Sequence, residues 1–250
     1  MKKAKKNIKA AILIIGNEVL SGRTQDLNVS FISNWLNINC GISVGEVRII
    51  PDIEKKIIYN ILDLNKKFNY TFTTGGIGPT HDDITALSIA KAFKVKYEFN
   101  KEAYLILEKY YGKNNFNEGR KKMAKMPKGS ALIYNPSSAA PGFKIKNILC
   151  LPGVPSILKS MIGNVKKFLI KGSTTISESI NLLTVESHIC LDIGKLQKEY
   201  LKKVEIGSYP FFRLGKVGVS IVLRSSNKIH LKSCLEKLKK IIKNKKIKLF

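Results

Sequence analysis

Arginine is scarce in this chain, acid is outnumbered by base, and no long apolar run occurs. Of 44 basic residues only five are arginine (Arg23, Arg48, Arg120, Arg213 and Arg224), set against 18 acidic residues and a net charge of +26. A charge of that size usually implies nucleic acid or an anionic surface. No aromatic-interleaved basic platform of the kind that reads RNA is present, however. The excess is almost all lysine, in a chain also rich in isoleucine and asparagine. These three residues share A/T-rich codons, so base composition accounts for the excess without a nucleic-acid partner, and none is expected. Cys40, Cys150, Cys190 and Cys234 form no Cys-x-x-Cys pair. Such thiols are expected reduced and mostly buried, as in a cytoplasmic protein. Lysines followed by Ala10–Ile15 resemble a signal peptide, but Gly16-Asn17-Glu18 closes that run with no small-x-small cleavage site. Nothing is long enough to span a membrane.

The informative stretch is Tyr70-Thr71-Phe72-Thr73-Thr74-Gly75-Gly76-Ile77-Gly78-Pro79-Thr80-His81-Asp82-Asp83. An apolar, β-branched run stops at paired glycines, and two adjacent carboxylates open an amphipathic segment, Ile84 to Phe93. The pattern predicts strand, tight turn and helix N-terminus. Glycine admits a positive φ and bare-backbone approach of a ligand, and a helix start favours an anion, typically phosphate. Asp82 and Asp83 would repel that anion unless a divalent cation sits between, as Mg²⁺ does when it takes carboxylate and phosphate oxygens together. The loop lacks the lysine of a Walker A motif, and His81 stands where a dinucleotide fingerprint needs its third glycine. The plainer alternative is a glycine-rich βα turn with an Asp N-cap.

In chain order, residues 1–8 read as a basic tail and Ala10–Ile15 as a buried strand ending in the loop Gly16-Asn17-Glu18-Val19-Leu20-Ser21-Gly22. A helix is expected from Asp26 to Asn39, with Leu27, Phe31, Ile32, Trp35 and Leu36 at core spacing. Ile42–Ile50 is a second strand ending at Asp52. Ile53–Lys66 is a second helix with Ile57, Ile58, Ile61 and Leu62 on one face, and Phe68–Thr73 is the third strand. Trp35, Phe31, Ile61, Leu62, Ile12, Ile14 and Phe72 are the expected core. Helices follow at Lys101–Tyr111 and Asn117–Lys125, the latter carrying Arg120, either a phosphate clamp or a solvated residue. Ala131–Tyr134 is a strand, Asn135–Phe143 a proline-punctuated loop, Ile148–Leu151 a strand, and Pro152-Gly153-Val154-Pro155 the turn into a helix from Ser156 to Ile170. Alternating strands and helices predict a mostly parallel sheet. Ligands of such sheets sit off the carboxyl ends of the strands, so Gly16/Asn17/Glu18, Asp52 and Gly75–Asp83 are expected at one place.

Residues 1–171 thus form one α/β domain. Lys171–Thr175 marks a boundary, and 172–250 restart as a small α+β domain. Its expected elements are a strand near Ser177–Glu186, a helix over Asp192–Lys202, strands at Val204–Tyr209 and Val217–Arg224, and a helix over Ile229–Lys243.

Four stretches in this order, Gly16–Gly22, Thr74–Asp83, Ala140-Pro141-Gly142-Phe143 and Leu151-Pro152-Gly153-Val154-Pro155, resemble the competence/damage-inducible protein A family. Its first domain is the molybdopterin-binding domain also found in molybdopterin adenylyltransferases and in some FAD synthases. Ile206-Gly207-Ser208-Tyr209-Pro210 with Gly218-Val219-Ser220 is similar to the family's small second domain. The resemblance implies a three-layer α/β/α domain in which the glycine loop binds a pterin or nucleotide phosphate beside carboxylates and a divalent metal. It also implies metal-dependent hydrolysis of ADP-ribose- or FAD-type pyrophosphates, and a homo-oligomer. Carried onto this chain, Asp82, Asp83, Asp52 and Glu18 are the catalytic candidates, with the three aspartates as metal ligands. Gly16, Asn17, Thr74, Gly75, Gly76, Gly78, Pro79, Thr80, Ala140, Pro141, Gly142, Pro152 and Gly153 are the ligand-binding candidates. Asn17 stands where Thr or Ser is common, and Ile157 follows Pro155-Ser156 where a Glu is usual. Longer members add a nicotinamide-nucleotide amidase domain; this chain ends before it, so that activity is not expected. The alternatives are a hydrolase, a pterin- or nucleotide-binding module without turnover, and a basic nucleic-acid-associated protein.

Overall fold

The computed structural model describes residues 8–250. Of the basic tail over residues 1–8, only Ile8 is among them, and it is no tail residue: its side chain is buried and its carbonyl accepts the Ser43 N–H. The chain divides between Ser173 and Thr174 into two compact units. Gly172 lies within the first, its N–H donating to the Cys40 carbonyl.

The first unit runs β1 (Lys9–Ile15), α1 (Asn17–Leu20), α2 (Asn28–Trp35), β2 (Ser43–Ile50), α3 (Glu54–Lys67), β3 (Tyr70–Thr74), α4 (Thr85–Ala92), β4 (Tyr97–Phe99), α5 (Lys101–Tyr111), α6 (Glu118–Lys122), β5 (Lys125–Pro127), β6 (Ala131–Ile133), β7 (Gly142–Ile145), β8 (Ile148–Leu151) and α7 (Pro155–Met161). Six strands form one sheet in the order β2-β1-β3-β8-β7-β6. The β1/β2, β1/β3 and β3/β8 pairs are parallel, while β7 pairs antiparallel with both β8 and β6. A mostly parallel sheet buries both faces, and β1 shows how. Its side chains alternate in direction, so Ala11, Leu13 and Ile15 enter one core with Ile57, Ile61, Ile89 and Leu107 of α3, α4 and α5. Ala10, Ile12 and Ile14 enter the opposite core with Ile32, Leu36, Leu158 and Met161. The result is a sheet between two helical layers. Strands β4 and β5 form a separate antiparallel pair.

The second unit comprises β9 (Ile176–Leu182), α8 (Glu186–Glu199), β10 (Glu205–Arg213), β11 (Lys216–Ser225) and α9 (Lys228–Asn244). Its antiparallel sheet has the order β10-β11-β9. Leu182, Val219, Ile221 and Leu223 of that sheet pack on Ile189 and Leu196 of α8 and on Cys234 and Leu238 of α9.

Several expectations need correction. Gly16–Gly22 is not wholly loop, because one helical turn, α1, forms in it. The helix expected over 26–39 is shorter: Leu27 precedes α2 and is exposed, and Leu36–Cys40 is a wide π turn closed by Gly41 at φ 65°. Phe31, Trp35 and Leu62 are half-buried rather than core, whereas Ile12, Ile14, Ile61 and Phe72 are fully buried. Gly142 and Phe143 belong to β7 rather than to a loop. There Gly142 lies so close to the Cys150 carbonyl oxygen that a Cβ would be 2.3 Å from it. The helix after Pro155 changes to a tighter 3₁₀ form over Ile162–Phe168, and Glu186 opens α8 instead of ending a strand. Cys40, Cys150 and Cys234 are buried and Cys190 is exposed; all are free thiols. Among the described residues no helix is long and apolar enough to cross a membrane. Lysines lie on α3, α5, α6, α8 and α9, in both units.

The adjacent pair on α3 provides a test. Ile61→Ala should lose about 2–5 kcal/mol in a denaturant titration, the usual range for emptying a closed core site. Leu62→Ala should lose less than half as much. Equal losses would contradict the assignment of the buried helix face.

Candidate functional site

The parallel register brings four strand ends level: Ile15 pairs with Ile50, Ile14 with Thr74, and Thr74 with Leu151. The Gly16 N–H continues the ladder to the Ile50 carbonyl, and the Gly75 N–H continues it to that of Leu151. Glycine is required at position 75. Its φ is +97°, and a Cβ there would lie 2.1 Å from the Ile15 carbonyl oxygen. Gly76, at φ +67°, leaves room of the same kind for the Thr85 hydroxyl, while its carbonyl accepts the Thr85 N–H. A Cβ on Gly153 would be 3.4 Å from the Gly75 Cα, and the Gly153 carbonyl accepts from the buried Asn28 amide at 2.7 Å. Backbone from three separate segments therefore meets at Gly75.

The carboxylates arrive from different segments. Asp52, after β2, accepts the Asn17 N–H at 2.9 Å, and Glu18, exposed in α1, folds back over Gly16. Burial pushes the Asp52 carboxyl above the ordinary carboxylate range. The Asn17 N–H opposes this, and the charges of Glu18 and Asp82 reinforce it. Glu18, Asp52 and Asp82 thus share one electrostatic environment. Asp82 itself is held below the ordinary range, first by the Thr80 hydroxyl, then by its own backbone N–H, with smaller contributions from His81 and Lys122.

Neither Asp82 nor Asp83 caps α4. The N-cap residue of that helix is Ile84, with no side-chain cap, so the N-cap alternative fails. Both carboxylates turn back onto Thr80, whose hydroxyl oxygen lies 2.5 Å from Asp82 Oδ1 and 2.5 Å from Asp83 Oδ2. The Thr80 N–H also donates to Asp83 Oδ2 at 2.8 Å. A hydroxyl has one proton, so it cannot serve both acid groups, and positive charge at this point is favoured.

The other candidates take different positions. Thr74 is buried beneath the turn, and its hydroxyl has no hydrogen-bond partner. Its side chain shapes the loop and does not face solvent. Pro141 borders, with Gly78, Asp83 and Tyr97, a cavity of about 10 Å³, roughly one water in size. Ala140 is fixed by its carbonyl accepting from Asn135 at 2.9 Å. Gly142 lies inside β7, and Pro152 follows β8. Arg120 is no phosphate clamp: its guanidinium donates to the Asn115 carbonyl and lies 4.2 Å from the centre of the Tyr111 ring. Two residues that sequence reasoning missed belong here. Thr85, whose buried hydroxyl is also unpaired, carried a weak signal as a hydroxyl residue just after the paired aspartates. Lys122, which donates to the Thr80 carbonyl from 42 residues away, carried none.

Among the described residues no three His, Cys, Asp or Glu side chains form a ready-made ion cage. The donors present are carboxylates and hydroxyls. Such a set suits Mg²⁺, which keeps waters and joins one or two carboxylates to substrate phosphates, and does not suit a metal that needs a complete protein cage.

Residues 11–171 match the family described as probable molybdopterin binding domain, and residues 174–249 match the middle domain of FAD synthase. A protein of Archaeoglobus fulgidus is 31% identical over 235 residues, 94% of this chain and 98% of that one. One of Sulfolobus acidocaldarius is 38% identical over 202 residues, 76% of each chain. The solved structure of CinA from Thermoplasma acidophilum, described as a protein of unknown function, superposes with a TM-score of 0.61 at 30% identity. It is covered completely by 66% of this chain.

Two outcomes test the geometry. Gly75→Ala should cost about 2–4 kcal/mol in unfolding free energy, because strain at positive φ adds to a backbone overlap. Gly22→Ala, also at positive φ but with nothing within 4 Å, should cost less. The second concerns Asp52, whose pKa is raised in the folded state. Its contribution is complete below the unfolded-chain pKa and is lost as pH rises through the folded value. Asp52→Asn keeps an acceptor for the Asn17 N–H. It should therefore raise the melting temperature at pH 7, with the gain disappearing near the ordinary aspartate pKa. A melting temperature lowered at neutral pH would contradict the charge crowding described here.

Proposed function

The chain belongs to the CinA-like molybdopterin-binding family, and from that premise we propose that its first unit hydrolyses a nucleotide pyrophosphate of the ADP-ribose or FAD type with the help of a divalent metal ion. The observation that carries the reading is the meeting of Glu18, Asp52 and Asp82 beside a glycine turn whose backbone is bare. Carboxylates from three segments at one sheet rim serve no packing need. The likeness of the second unit to a domain of FAD synthase favours a substrate with an adenosine diphosphate portion.

In this reading the Gly75–Gly78 backbone receives the diphosphate, and one or two of Asp82, Asp83 and Asp52 would hold the metal beside it, Mg²⁺ being the best fit. Bound there, the ion supplies Lewis-acid charge to the phosphate oxygens and lowers the pKa of water. Hydrolysis adds water across the P–O–P bridge. The water oxygen bonds to one phosphorus, and the bridging oxygen leaves with its electron pair on the other phosphate. The released proton passes to Glu18, which is exposed and outside the proposed ion set. Thr80 holds Asp82 and Asp83 in place. Self-association, as the family resemblance implies, is part of the proposal and is read by sedimentation.

A second reading has its own support. The bare Gly75–Gly78 backbone and the match to a probable molybdopterin binding domain suit a module that binds a pterin or nucleotide without turning it over.

The purified chain should convert ADP-ribose to AMP and ribose 5-phosphate, or FAD to AMP and FMN, when Mg²⁺, Mn²⁺ or Co²⁺ is supplied. Asp82→Asn should lower that rate about tenfold or more, the scale seen when groups around a metal are disturbed, with little change in melting temperature. Asp83→Asn should also lower the rate with little change in stability, since its amide oxygen still accepts the Thr80 N–H. If the parent hydrolyses neither compound with any of the three metals, or both variants match the parent, the hydrolase reading is wrong and the binding module replaces it.

A further inference from the structure

Helix α6 carries three adjacent cations, Arg120, Lys121 and Lys122, and directs only one of them to the glycine loop. Arg120 is engaged by the Asn115 carbonyl and the Tyr111 ring. Lys121 pairs with Glu118 at 2.7 Å. Lys122 alone of the three reaches the loop, donating to the Thr80 carbonyl. The helix lies beside the loop, since a Cβ on Gly119 would just reach van der Waals contact with Pro79, at 3.4 Å from its carbonyl oxygen and 3.6 Å from its Cβ. Lys122 also borders the small cavity beside Gly78, Asp83 and Tyr97.

We propose that Lys122 is the phosphate-binding cation of this site, tied to the Thr80 carbonyl by one N–H and turned towards the loop's anionic ligand with the others. The proposal rests on the reading that the Gly75–Gly78 turn receives a diphosphate. Three physical points support it. An ammonium has three donors, and the Thr80 carbonyl engages one. Glu18, Asp52, Asp82 and Asp83 already make the rim acidic, so a diphosphate gains from a fixed positive charge besides any metal. A lysine on a flexible four-carbon stem can keep its hold on Thr80 while turning towards a phosphate, which a rigid guanidinium fork does less readily. A purely mechanical role, strapping α6 to Pro79–Thr80, is the competing account.

Calorimetric binding of ADP and of adenosine to the full chain separates the two. Lys122→Met removes the charge and keeps the length; Lys122→Arg keeps the charge; Lys121→Met is the control on the same helix. A charge-assisted hydrogen bond to phosphate predicts that Lys122→Met weakens ADP binding about tenfold to a hundredfold. Adenosine binding should stay at the parental level, Lys122→Arg should recover most of the ADP affinity, and Lys121→Met should match the parent. ADP affinity should fall less steeply with added salt in Lys122→Met than in the parent. The proposal is overturned if Lys122→Met binds ADP like the parent. It is equally overturned if ADP and adenosine affinity fall together with the melting temperature and arginine restores neither, because that pattern belongs to a strap. Should the parent bind no ADP at all, the diphosphate reading itself fails and takes this proposal with it. Parental ADP affinity in Lys122→Met would refute the lysine alone and leave that reading standing.

Discussion

The first unit depends on one absence of space. At Gly75 the backbone passes so near the Ile15 carbonyl that no Cβ fits. This contact lets β1 and β3 end side by side with their last peptides facing one another. Gly153 then closes on Gly75 from β8, and the Asn28 amide fastens the Gly153 carbonyl from α2. Parallel strands present their carboxyl ends to one rim in any α/β sheet. Here the glycines draw that rim tight enough for loops far apart in sequence to lie side by side. Burial of the alternating β1 side chains in two cores supplies the rigidity, and the glycines supply the close approach.

Electrostatics at the rim oppose the character of the whole chain. The protein carries a net charge of +26, yet Glu18, Asp52 and Asp82 gather closely enough for the first and third to raise the pKa of the second. Such crowding costs folding free energy at neutral pH, because two neighbours disfavour the ionised Asp52. Thr80 fits the same logic, as its single proton lies between two carboxylate oxygens. A lysine-rich surface surrounding an acidic rim would draw an anionic nucleotide towards the protein by long-range attraction, while the rim itself demands positive charge at short range.

Much of this was legible in the sequence for a definite reason. Hydrophobic period and glycine placement are local signals, and they located β1, β3, α3, α5 and β8 to within a residue or two. The convergence of Asn17, Asp52 and Gly75 followed from the carboxyl-end rule without knowledge of any contact. What escaped was set by distant partners. Gly142 and Phe143 read as loop because a proline and small residues precede them, yet pairing with Ile133, Leu132 and Cys150 makes them strand. Tyr97–Phe99 is too short to signal a strand and exists because Lys125–Pro127 lies beside it. Paired aspartates before a helix resemble a cap, but Thr80 offers both an N–H and a hydroxyl nearer at hand.

Arg120 and Lys122 show the same limit at its sharpest. From residue type, arginine is the better phosphate ligand, with a planar fork that meets two oxygens at once. Sequence reasoning therefore weighed Arg120 and passed over its neighbour two positions on. Two positions along a helix turn a side chain through about 200°, so the two residues face nearly opposite ways. With Gly119 beside Pro79, only one of those directions leads to the glycine loop, and Lys122 occupies it. Arg120 turns instead to Tyr111, where its flat guanidinium finds an aromatic face. The helix therefore selects by geometry a cation that composition would rank second. Which cation of a remote helix reaches a loop is fixed by the residue the packing points inward, whatever the intrinsic merits of the residues available.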